Sequence, residues 1–160
     1  MSLSAILAAC KTEMSEVSGM GKVYAYERWT ANWTNFLNLF KTTGNKINGW
    51  MITRIATPQR QETLGEKERA HILLFRGVYG LDDSADTEST FQTQIEAMVT
   101  KFNEDANENL GGVCLTTHPD WGPMDGSVGL QVDKVEIRVF GTVLCHYAEC
   151  RLCATETVPC

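Results

Sequence analysis

Between Glu66 and Phe102 the apolar positions change period once. Ala70-His71-Ile72-Leu73-Leu74-Phe75 is apolar in both phases of a two-residue repeat, the pattern of a strand covered on both faces in the middle of a sheet. Gly77-Val78-Tyr79-Gly80 ends it. Leu81-Asp82-Asp83-Ser84 then offers helix-capping side chains, and Asp86 and Glu88 put negative charge at the positive end of the helix dipole. Phe91, Ile95, Met98, Val99 and Phe102 follow at helical spacing, so one face of this helix must lie on the sheet.

The flanking segments extend that frame. Residues 2–14 predict a first helix with Leu3, Ile6, Leu7, Cys10 and Met14 on one side. Val23 to Tyr26 alternates and predicts a short strand, and Thr30 to Lys41 predicts a second helix carrying Trp33, Phe36, Leu37 and Phe40. That aromatic stripe reads as core or subunit contact rather than a cofactor box. Ile47 to Ala56 is a strand, joined by the polar tip Thr57 to Gly65 to the central strand that starts at Glu66. Two long strands with a hydrophilic tip describe an extended hairpin. After the long helix, Asn107 to Gly112 is a stop, Val113 to Thr116 a short strand, and Thr117 to Gly129 a Gly/Pro loop holding Trp121. Leu130 to Thr155 forms two more strands around Gly141-Thr142. In the first of these, Val135, Ile137 and Val139 point inward and Lys134, Glu136 and Arg138 outward. Val158 to Cys160 is read as a frayed tail. The sum is one α+β domain over residues 1–160. It has a mostly antiparallel twisted sheet with one long helix packed on a face, an N-terminal helix and an extended β-hairpin. Residues 1–45 are its least patterned part.

Composition narrows the class. At 160 residues, 43% hydrophobic and 21% charged, the chain is an ordinary single globular domain with no apolar run of membrane-spanning length. The N-terminus lacks a basic n-region, and Lys11 and Glu13 interrupt its apolar stretch, so it reads as an amphipathic helix rather than a signal peptide. The net charge is −6, and eight acids against Lys101 alone fall between Asp82 and Asn109. That acidic segment is a solvated outer helix face, or a surface that repels nucleic acid or meets a basic partner. The six cysteines are irregularly spaced without a secretion signal, which points to reduced thiols in a cytoplasmic setting.

No residue pattern argues for catalysis. Cys145 and His146 are adjacent on a strand and therefore point to opposite faces, which excludes a nucleophile–base pair. Cys150 faces away from Cys145 and Cys153 for the same reason, so they make no zinc site. Asp82-Asp83 is explained by its place at a helix start, and His71 and His118 have no partners nearby in sequence. No catalytic residue, metal ligand or cofactor is expected.

One resemblance adds to this reading. A first helix and long strands precede His71-Ile-Leu-Leu-Phe-Arg-Gly-Val-Tyr-Gly80 and Asp82-Asp83-Ser84. The helix with Phe91, Ile95 and Phe102 follows, then Leu110-Gly111-Gly112, and the chain closes on Phe140-Gly-Thr-Val-Leu-Cys-His-Tyr-Ala148. Over roughly residues 45–155 this order resembles the tail terminator family of tail-completion proteins from long-tailed bacteriophages. The resemblance implies a structural virion protein, assembled in the host cytoplasm, that forms a homo-hexameric ring on the last ring of the tail tube. Its expected partners are the tail tube protein and the head–tail connector or head-closure protein. DNA passes through the ring without specific binding, and no membrane is involved. Candidate subunit-interface residues are Trp33, Phe36, Pro58, Arg60, Leu64 and Trp121, and a candidate acidic lumen comprises Asp82, Asp83, Asp86 and Glu88. A head-closure or other neck protein is the nearest alternative. A small cytoplasmic enzyme or ligand-binding domain is a different class, and a bacterial interaction module unrelated to phage a third.

Overall fold

Ser2 starts the first helix: its Oγ accepts the Ala5 amide at 3.3 Å, and α1 runs Leu3–Glu16 with Ile6, Cys10 and Met14 buried at four-residue spacing. The computed structural model describes residues 2–28 and 32–160, with the side chains of Trp33, Asn45 and Asp105 outside that description. After α1 come β1 (Lys22–Tyr24), α2 (Trp33–Phe40), β2 (Asn48–Ala56), β3 (Gln59–Gln61), β4 (Glu66–Gly80), α3 (Thr87–Asn103), β5 (Gln131–Phe140) and β6 (Val143–Pro159). Asn32 caps α2 by accepting the Asn35 amide at 3.1 Å, while the start expected at Thr30 lies outside the described residues.

The strands form one sheet in the order β1-β2-β4-β6-β5, with β3 also on β4. β1 runs parallel to β2, and every other pair is antiparallel. The protein is thus a mixed α+β fold with a mostly antiparallel sheet and three α-helices among the described residues. Central position is why β4 is apolar in both phases. Leu73 and Phe75 face α1 and α3, in a core shared with Trp50, Phe91, Ile95, Met98, Phe102 and Leu152. Val78 faces the other side, with Phe36, Phe40, Met51 and Tyr147 under α2. At the far end of that second face, Met124 and Trp121 of the 117–129 loop close over Ala70, Ile72 and Cys153. Each such fully buried side chain contributes about 1.5–3 kcal/mol, so the larger cluster under α1 and α3 dominates stability.

Four expectations change. The capping residues 81–84 serve a single 3-10 turn, Asp83–Ala85, in which Asp82 Oδ1 accepts the Ser84 amide at 3.1 Å. α3 starts only after Asp86, at φ 49°, and has no side-chain cap of its own. Val113 to Thr116 is not a strand, because the left-handed Leu110, Gly111 and Gly112 curl the chain before it. Two backbone bonds, Leu115 N–H to the Thr155 carbonyl and Thr155 N–H to the Thr116 carbonyl, still tie it to β6. The expected tail is not frayed: Val158 and Pro159 pair with Lys67 and Glu66, and the Cys160 amide donates to the Gly65 carbonyl at 2.9 Å. The end of β4 needs a partner there, and β6 supplies it.

The fourth change concerns β5. The alternation of Val135, Ile137 and Val139 with Lys134, Glu136 and Arg138 is there, but the apolar members are the exposed ones, at 37%, 56% and 63%. They share a sheet face with α1 and α3, yet β5 is the outermost strand, and neither helix covers it.

Candidate functional site

The residues that suggested chemistry are held by the fold itself. His146 is buried under α3, stacked on Phe91 at 5.9 Å, with Nε2 3.0 Å from the Thr87 hydroxyl. His71 is buried between two distant partners, Glu156 Oε1 at 3.0 Å from Nε2 and the Thr57 hydroxyl at 3.0 Å from Nδ1. A carboxylate only accepts, so Nε2 donates to it and, in the neutral ring, Nδ1 accepts from Thr57. Arg69 approaches the same carboxylate oxygen at 3.8 Å. Among the described residues no group of three His, Cys, Asp or Glu is placed to hold a metal ion, and no helix is long and apolar enough to cross a membrane.

The cysteines divide by exposure. Cys10, Cys114, Cys145, Cys150 and Cys153 are buried and Cys160 is exposed. Burial pushes the Cys145 thiol up to about 11 and those of Cys114, Cys150 and Cys153 up to about 12, and raises Cys10 as well. These five stay protonated at neutral pH, where only a thiolate reacts. A small alkylating reagent is therefore expected to modify one thiol per native chain, Cys160, and all six after denaturation, read by intact mass. Rapid native labelling of two or more would contradict this packing.

Three surfaces remain open to a partner. The first is the end of the sheet where β3 and β4 meet. Leu64 there is 98% exposed, and residues 61–67 are all exposed. Just behind it Arg60 is fixed by Glu68 at 2.7 Å, Asp120 at 3.2 Å and Glu62 at 3.3 Å, and its guanidinium lies 4.9 Å from the Trp121 ring centre. Two interface candidates, Arg60 and Trp121, thus contact each other across the base of this projection. Pro58 is tied instead to the central strand, its carbonyl accepting the Ala70 amide at 3.0 Å.

The second surface is acidic. Asp82, Asp83, Asp86 and Glu88 are all exposed at the corner that leads into α3. The third is the uncovered side of β5. Val132, Val135, Ile137, Val139 and, on β6, Leu144 account for half of the ten large apolar side chains that are exposed among the described residues. Asp83, Asp86 and Glu88 border the small clefts between α3 and Ile137, so the acidic corner and the apolar strand adjoin.

Phe36 does not belong with these surfaces. It is 4% exposed and stacks on Phe140 at 5.3 Å, inside the chain's own smaller core. The side chain of Trp33 lies outside the described residues. Sequence reading missed the β5 stripe as a surface, because its alternation is the same whichever face is covered. The sequence matches no family model and no curated protein.

Proposed function

We propose that this chain is a structural subunit of a long-tailed phage virion. It forms a hexameric ring on the last ring of the tail tube, ends tube growth and offers its other face to the head connector. The observation that carries this reading is the placing of two unlike surfaces on one sheet. β4 and β6 pair from Glu66↔Pro159 at the Leu64 end to Gly80↔Cys145 at the other, where Ile137, Val139 and Leu144 form the apolar stripe. A ring subunit uses a different patch on each side, and contacts of that kind close by rotation. The extended arm made by β3 and the start of β4, tipped by Leu64, is the element that reaches a neighbour. The four exposed carboxylates at residues 82–88 fit a channel wall that keeps passing DNA from adhering. With its buried histidines and thiols engaged in packing, the chain acts through surfaces, as assembly proteins do.

The test is tail morphology by negative-stain electron microscopy in a phage carrying a deletion of this gene. Headless tails of irregular, often excessive length are the expected result. Tails of normal length beside separate, leaking heads assign the protein to head closure instead. Intact infectious particles overturn both structural readings.

A further inference from the structure

β5 is an edge strand with an apolar stripe, the kind of edge that proteins rarely leave unpaired. Its outward backbone groups can be identified. Phe140 and Val143 flank the two-residue turn Gly141-Thr142, which makes them a hydrogen-bonded pair. Hydrogen-bonded and open pairs alternate in an antiparallel ladder, so Phe140, Arg138 and Glu136 direct their amides and carbonyls to β6. Val139, Ile137 and Val135 direct theirs away from the sheet. The three residues with free backbone groups are also the exposed apolar ones.

We propose that β5 pairs antiparallel with β5 of a second copy of this chain about a two-fold axis at Ile137. The charge pattern selects this register from those that join outward groups to outward groups. An axis at Glu136 sets that carboxylate against its own copy and Lys134 against Arg138. An axis at Arg138 sets two guanidiniums face to face. An axis at Val135 brings Asp133, where the β5–β6 register slips, opposite Ile137. An axis at Val139 carries the pairing off the end of the strand. With Ile137 on the axis, Glu136 meets the partner's Arg138 and Arg138 meets the partner's Glu136. On the opposite face Val135 meets the partner's Val139, and Ile137 meets the partner's Ile137. About six new backbone hydrogen bonds form. The cross-strand charge pairs reuse side chains that now pair along one strand, where Glu136 bonds Lys134 at 2.9 Å and also Arg138. A dimer closed in this way withholds β5 from any head-to-tail contact until the two copies separate. The inference concerns the free chain and stands apart from the tail reading.

Sedimentation of the purified chain across a dilution series is expected to give a species of twice the 17.8 kDa chain mass. Glu136→Arg places like charges at both symmetric pairs and weakens that dimer about tenfold, and adding Arg138→Glu in the same chain restores it. In a Cys160→Ser background, Ile137→Cys crosslinks to itself under mild oxidation. The two α-carbons there are about 5.5 Å apart, within disulfide reach. Val139→Cys alone does not crosslink, but it does when mixed with Val135→Cys. A monomer at every concentration overturns the proposal. So does a dimer in which Val139→Cys crosslinks to itself and Ile137→Cys does not.

Discussion

Trp50→Ala lowers the unfolding free energy by about 3–5 kcal/mol, among the largest losses available to a single side chain here. Trp50 is fully buried and is the bulkiest residue in that state among the described residues. Its indole packs against Phe91 at 5.9 Å and donates its N–H to Gln94 Oε1 at 3.4 Å, so the loss combines a cavity with an orphaned amide. The ring also lies across the neighbouring strand. Gly77 is its register partner, and a β-carbon there would meet Trp50 Cζ2 at 2.5 Å. Gly77→Ala is therefore destabilising from the other side, by about 1–3 kcal/mol, because a packed indole cannot swing away. The two substitutions share one contact, so in a denaturant-based double-mutant cycle the pair loses less than the sum of the single changes. A Trp50→Ala loss under about 1 kcal/mol would mean that the indole is not the centre of this core.

The second large effect comes from the buried carboxyl on the same sheet face. Glu156 is 2% exposed, its Oε1 is shared by His71 and Arg69, and its Oε2 has no partner among the described residues. Removing His71 leaves that carboxyl with Arg69 alone, 3.8 Å away and partly in solvent. His71→Ala is expected to lose about 3–5 kcal/mol, the usual result of breaking a buried polar pair from one side. The double replacement His71→Leu with Glu156→Leu is expected to recover most of that, as read from the same unfolding curves. Recovery follows because no desolvated group is then left behind. If the double variant is as unstable as His71→Ala, the pair is holding strand geometry rather than satisfying a buried charge.

Much of the architecture was legible because it depends on local pattern. The two-phase apolar run of β4 requires cover on both faces, and the i, i+4, i+7 series from Phe91 requires a sheet beneath it. Two helices share that face where one was expected, since α1 and α3 both pack there. Gln94 also lies buried in the helical stripe, bonded to Trp50 and the Gly19 carbonyl, where a polar residue gave no sign of it. What could not be read depends on which element lies next to which. His71 showed no partner because Glu156 stands 85 residues away. The β5 alternation announced a strand but not its edge position, so Val135, Ile137 and Val139 were assigned inward. Phe36 had the composition of an interface residue and is a core one, because Phe140 comes back to stack on it. The end of β6 looked frayed since Val158-Pro159-Cys160 carries no strand pattern. Its order comes from the length of β4 opposite.

The unbroken pairing of β4 with β6 has a mechanical consequence. Fifteen successive residues of β4 are matched by β6 without a register slip, which makes a beam about 50 Å long. Gripped on both faces over most of that length, it moves as one piece. Each degree of tilt imposed at the β5 end shifts Leu64 by about 0.9 Å, so a small rotation of the subunit is amplified into a large excursion at the tip. In the ring proposed above, the angle between neighbouring copies, rather than bending of the beam, would then set where Leu64 lands.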